Sequence, residues 1–136
     1  MIYLTGTHAL NLTCSLETCG DWHTSALAWK ELHLSDTDNS IYGSWGIESE
    51  IKAPNGKMYK HADHLRAILD IMEDDKWFML RQMKGFKEDF ICTDIYDDIF
   101  MSKVFMLKYK SNWEEINKLM KMEYKCKWLK YLEEHK

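Results

Sequence analysis

Ala62-Asp63-His64-Leu65-Arg66-Ala67-Ile68-Leu69-Asp70-Ile71-Met72-Glu73-Asp74 carries Leu65, Ile68, Leu69 and Met72 at positions i, i+3, i+4 and i+7. That spacing places four apolar side chains on one face of an α-helix. Everything after this stretch continues the helical pattern, and everything before it is short, turn-rich and β-branched, so residues 62–74 mark where the chain changes character.

Working downstream, Asp74-Asp75 is placed to cap a helix over Trp77 to Lys84, and Gly85 is placed to end it. Thr93 is placed to cap a helix over 94–107, in which Tyr96, Phe100, Val104 and Leu107 share one face. Ser111 with Glu114 has the capping-box pattern and opens a last helix predicted to run to about Leu132, with Trp113, Ile116, Met120 and Tyr124 inward.

Working upstream, Asn55-Gly56 lies between Ile51-Lys52-Ala53 and Lys57-Met58-Tyr59 and is the strongest hairpin signal in the chain. Pro54 beside it predicts an edge strand. Ile47 to Ile51 and Ile41-Tyr42 read as short strands, and Ser35 to Ser40 as a polar turn. Residues 22–32 fit a short helix capped by Asp21 or a strand, with Trp22, Ala26 and Trp29 at helical spacing. Residues 6–20 have no clear period and read as a long ordered loop, and Ile2-Tyr3-Leu4-Thr5, stopped by Gly6, reads as a strand. The prediction is one α+β domain over 1–136: a strand- and loop-rich region, 1–60, with a small hairpin, packed on a bundle of about four helices in 61–136.

Composition agrees with a single core. The 136 residues are 46% hydrophobic, with one Pro and six Gly, too few breakers for disordered linkers. No apolar run reaches the length of a membrane span and Met1 to Gly6 lacks the basic n-region of a signal peptide, so a cytoplasmic location is expected. In that compartment Cys14, Cys19, Cys92 and Cys126 are expected as free thiols. Charge is polarised: residues 1–100 hold 9 Lys/Arg against 17 Asp/Glu, and residues 101–136 hold 9 against 5. This acidic balance argues against a nucleic-acid binder and for association with a charged partner.

Several clusters have chemical potential. His8, Cys14, Cys19 and His23 supply a sulfur–nitrogen set, but their spacing matches no zinc knuckle, so no metal is expected. The same loop permits a nucleophile, Cys14 or Cys19, with His23 as base and Asp21 orienting it. Gly20 alone is a thin basis for an oxyanion site. Carboxylates gather at Asp70, Glu73, Asp74, Asp75 and again at Glu88, Asp89, Asp94, Asp97, Asp98. Without a phosphate-binding glycine loop they read as a solvated acidic face. His61, His64 and Arg66 read as surface or partner-contact residues. Lys118, Lys121, Lys125, Lys127 and Lys130 alternate with Tyr124, Trp128 and Tyr131, which fits a packed aromatic stripe with a solvated lysine face.

His8-Ala9-Leu10-Asn11-Leu12, Thr18-Cys19-Gly20-Asp21-Trp22-His23, Tyr42-Gly43 with Gly46-Ile47-Glu48, His64 to Asp70, and Asp89-Phe90-Ile91-Cys92 together resemble, over the whole length, a family of small uncharacterised bacterial proteins. Members accompany nucleotidyltransferase-type toxin partners in mobile or defence-associated gene pairs. The resemblance implies an antitoxin-like role, and it supplies no catalytic residue to carry over.

The expectation is therefore a non-enzymatic protein-binding module, an antitoxin-like inhibitor of a basic or nucleotide-handling protein such as a toxin or nuclease. The residues expected to meet that partner are Asp21, Trp22 and His23 in the loop, and Asp70, Glu73, Asp74, Asp94, Asp97 and Asp98 on the acidic face. The alternatives are a phage or mobile-element inhibitor of a host defence nuclease, and a small hydrolase using the His/Cys loop. No cofactor, no membrane contact and no direct nucleic-acid binding are expected.

Overall fold

The computed structural model describes residues 1–18, 27–74 and 83–136. A small four-stranded sheet near the N-terminus is followed by helices, the α+β arrangement expected. The elements are β1 (Ile2–Leu4), α1 (Gly6–Leu10), β2 (Leu34–Asp36), β3 (Ile47–Lys52), β4 (Met58–Ala62), α2 (His64–Glu73), α3 (Asp97–Phe105), α4 (Trp113–Tyr124) and α5 (Cys126–Glu134). The sheet order is β2-β1-β4-β3. β1 pairs antiparallel with β2 and parallel with β4, where Leu4 faces His61, and β3 and β4 form the antiparallel hairpin turned by Asn55-Gly56. Asn55 stabilises that turn by accepting from the Lys57 amide at 3.0 Å. Pro54 follows β3, which is an edge strand as predicted.

α2 is the centre of the molecule. Every residue from His64 to Met72 is buried, because the sheet and α1 cover one side and α3 with the segment around Phe86 to Ile91 covers the other. The predicted amphipathic stripe understated this: a helix packed on all sides buries its polar positions too. Asp63 caps it, accepting from the Arg66 amide at 2.8 Å. Gly46, at φ +76°, lies so close that a Cβ there would sit 2.7 Å from the Arg66 Cβ, so the turn before β3 requires glycine.

The aromatic end of the same core holds the C-terminal helices. Phe100 stacks on Tyr124 at 5.8 Å with Phe86 alongside, and fully buried Trp128 stacks on Tyr131 while donating from Nε1 to Asn117 at 2.8 Å. Lys118, Lys121, Lys125, Lys127 and Lys130 stay exposed, as the stripe reading expected.

Several local expectations were overturned. Gly6–Leu10 is a helix rather than loop, and Ile41-Tyr42 lies in a run of turns rather than a strand. Ser35 and Asp36 belong to β2, whose pairing with β1 outweighs their turn propensity. α3 starts at Asp97, three residues later than expected, since Thr93 Oγ1 accepts from Ile95 N at 3.3 Å and so closes a local turn instead of capping the helix. The Ser111/Glu114 capping box is not formed: Asn112 precedes α4, and its amide donates to the Met72 carbonyl at 3.0 Å. The last helix breaks at Lys125, whose φ of +53° leaves the helical region. Of the stretch 22–32, residues 27–32 form bends and turns, neither the helix nor the strand expected, while 22–26 lie outside the described residues, as does most of the expected helix over Trp77 to Lys84. A wide π-helical turn over Lys87–Ile91, closed by Cys92 N donating to Lys87 O at 2.7 Å, had no counterpart in the sequence pattern. Cys14 and Cys126 are free thiols as expected, but Cys92 is disulfide-bonded. Sequence spacing carries no information on which side chains folding brings within bonding reach.

Candidate functional site

The first acidic cluster divides on folding. Asp70 is 2% exposed, and its carboxylate accepts from Tyr3 Oη at 2.5 Å, Thr5 Oγ1 at 2.7 Å and Arg66 Nε at 2.8 Å. Arg66, fully buried, also donates from Nη2 to the Tyr3 hydroxyl at 3.0 Å, from Nη1 to the Gly43 carbonyl at 2.8 Å and to the Trp45 carbonyl, and lies between the rings of Tyr3 and Tyr42. Burial and the adjacent carboxylate push the Tyr3 phenol up, so it stays a donor. Such a network is a structural clamp between β1 and α2, each member occupied by the others. Asp70 is therefore withdrawn from the expected acidic face, as are Arg66, His61 and His64 from their expected surface role, because α2 and the end of β4 are internal. Glu73 is half-buried and fastens the loop before β3, accepting from Ser40 Oγ at 2.6 Å and Ile41 N at 2.9 Å. Asp74 is exposed.

The second cluster remains at the surface, apart from Asp97. That residue is 5% exposed and bridges Lys127 at 2.7 Å and Lys87 at 3.3 Å, fixing the start of α3 against α5 and the π-helical turn. Asp94 also bonds Lys87, at 2.8 Å, and these contacts hold its carboxyl below the usual range, yet its side chain is 75% exposed. Asp98 is exposed on the first turn of α3. Between and beside them lie Ile95, 82% exposed, and Ile99, 41% exposed.

Two open grooves meet at these carboxylates. One of about 660 Å³ is lined by Lys87, Asp94, Asp97, Glu123, Tyr124 and Lys127, and one of about 350 Å³ by Asp94, Asp98, Met101, Lys130, Tyr131 and Glu134. Both grooves are open and lined mainly by charged side chains with Tyr124, Met101 and Tyr131 among them, and Ile95 and Ile99 are exposed in the same segment of chain as Asp94 and Asp98. Sequence reasoning picked out Asp94 and Asp98 but passed over Ile95 and Ile99, although the expected helix over 94–107 already placed them off the face shared by Tyr96, Phe100, Val104 and Leu107.

Of the His/Cys set, only His8 and Cys14 lie among the described residues, and they are not brought together there. His8 belongs to α1, where its ring packs edge-on against Trp29 at 4.9 Å and His33 at 5.0 Å, with Nε2 3.1 Å from the Ala28 carbonyl. Cys19, Asp21, Trp22 and His23 lie outside the described residues. Cys14 meets instead Thr18 and, through it, His64 of α2. Nothing in the sequence linked Cys14 to a histidine fifty residues away inside an apolar stripe. Among the described residues no three His, Cys, Asp or Glu side chains are gathered to hold a metal ion, and no helix is long and apolar enough to cross a membrane.

Comparison of the chain with protein-family profiles, with curated proteins and with solved structures returned no match.

Proposed function

We propose that this protein is a non-enzymatic binding module that attaches to a basic protein partner through the start of α3. The observation that carries the reading is that residues 94–99 expose two isoleucines, Ile95 and Ile99, together with the carboxylates of Asp94 and Asp98, of which Asp94 lines both grooves and Asp98 the smaller. An isoleucine left 82% exposed beside a second exposed isoleucine offers apolar area to a partner, and the flanking charges select a positive one and speed its approach. The acidic balance of residues 1–100 acts in the same direction at longer range. The resemblance to antitoxin-like proteins supports a toxin of the nucleotidyltransferase type as the partner, with the bound module covering a surface that handles nucleotides or nucleic acid.

The test is kinetic. A partner recovered by affinity capture from the native host is purified, and its association is followed by stopped flow with wild type, Ile95→Glu, and an Asp94→Lys, Asp98→Lys double variant. Ile95→Glu is expected to raise the dissociation rate, and the charge reversal to slow association at low salt, the two curves converging as salt screens the charges. Unchanged kinetics in both variants would exclude this face.

A further inference from the structure

Cys14 is partly exposed on the loop after α1, and its sulfur lies 3.4 Å from the Thr18 hydroxyl. The same hydroxyl lies 2.7 Å from Nδ1 of His64, a residue with no exposed surface. The surroundings of that imidazole favour its doubly protonated form. Nε2 is 2.6 Å from the Leu12 carbonyl, and Nδ1 is 3.3 Å from the Phe90 carbonyl as well as contacting Thr18. A carbonyl only accepts, so both nitrogens face acceptors, an arrangement satisfied when both carry hydrogen. The imidazolium then donates from Nδ1 to the Thr18 oxygen, which leaves the Thr18 hydrogen to be donated to sulfur. A hydroxyl donating to sulfur and a cation one bond further on both favour the thiolate.

The structure assigns Cys14 as a modification site, a thiolate nucleophile held by a Thr18–His64 relay and open to two-electron oxidation by hydrogen peroxide. In that step a sulfur electron pair attacks one peroxide oxygen, and the S–O bond forms as the O–O bond breaks. Cys14 becomes the sulfenic acid, the peroxide is reduced, and the leaving hydroxide is protonated to water.

Electrostatics agree with the geometry. Burial alone would raise the Cys14 thiol, but the hydrogen bonds involving His64 and Thr18, with the charge of His64, outweigh it and bring the thiol below its ordinary value. Burial alone would lower the His64 imidazole. Its contacts to Cys14 and to the carbonyls of Leu12 and Phe90 outweigh that and hold it above the ordinary value. The other charged groups nearby are Asp63, adjacent to His64 in the chain, and Glu48, which accepts from the Ser15 amide at 2.9 Å and pairs with His61 at 3.3 Å. Asp63 favours the imidazolium, whereas Glu48, fastened to the residue after Cys14, works against the thiolate.

Alkylation by iodoacetamide, read peptide by peptide by mass spectrometry across pH, tests the assignment, with the urea-unfolded chain as the reference for the same residue. Folded Cys14 is expected to titrate with a midpoint below that of the unfolded chain. Thr18→Val, which keeps the side-chain shape at a partly exposed position, is expected to move the midpoint back towards the unfolded value. Peroxide followed by dimedone is expected to label Cys14 in the wild type. Coincident folded and unfolded midpoints, a midpoint unmoved in Thr18→Val, or dimedone labelling absent from Cys14 would each overturn the assignment.

Discussion

Removing the Asp70 carboxylate should nearly unfold this protein, although the residue sits in what reads as a run of surface acids. Arg66 is fully buried and Asp70 is its counter-ion at 2.8 Å. Breaking a buried, hydrogen-bonded pair by deleting one partner costs about 3–5 kcal/mol, because the remaining charge is stranded. The Tyr3 and Thr5 hydroxyls, which donate to the same carboxylate, lose their acceptor as well, at about 1 kcal/mol or more each. The total for Asp70→Ala is about 5 kcal/mol or more, against a stability of about 5–15 kcal/mol for a domain. Asp70→Asn keeps shape and an acceptor oxygen but not the charge, and should cost about 3 kcal/mol. Asp98→Asn, at an exposed helix start, should cost less than about 1 kcal/mol. Urea unfolding followed by fluorescence and circular dichroism gives midpoint and slope for each variant. The clamp argument fails if both Asp70 variants lie within about 1 kcal/mol of wild type with an unchanged slope. An Arg66→Met, Asp70→Leu double variant should recover much of the loss, since it strands no charge.

Two further outcomes follow from the same packing. Burial raises the Asp63 carboxyl to about 6, against the opposing effect of the Arg66 amide it accepts from. A carboxyl raised on folding contributes stability that is complete below its unfolded value near 4 and is lost as pH climbs through about 6. Asp63→Asn keeps a helix cap without the charge, so its stability relative to wild type should grow by about 1–3 kcal/mol between pH 4 and pH 7.5, and a difference that stays flat across thermal melts at the two pH values would refute this. Trp128→Ala, at a fully buried position with a bonded indole N–H, should cost about 3–5 kcal/mol. Trp113→Ala, at a partly buried position, should cost clearly less, and reversed costs in denaturant titrations would show that the α4–α5 packing is misassigned.

Local chemistry made much of the fold legible. The Asn55-Gly56 hairpin, the strand stopped by Gly6, and the apolar periodicity of α2 each depend on a few neighbouring residues, so these elements and the α+β class followed from the sequence. The exposed carboxylates Asp94 and Asp98 were legible for the same reason, as charged residues at a helix start. Tertiary contacts decided the rest. Asp70 and Asp98 are the same residue type in similar acidic runs, and only the arrival of Tyr3 and Thr5 from β1, together with Arg66, turned the first into an internal counter-ion. His64 looked like a surface residue because α2 showed one apolar stripe. Its protonation depends on carbonyls contributed by Leu12 and Phe90, 52 and 26 residues away. Periodicity reports which face of an element is apolar, whereas burial of a polar group depends on partners from distant parts of the chain, and those become visible only once the chain has folded.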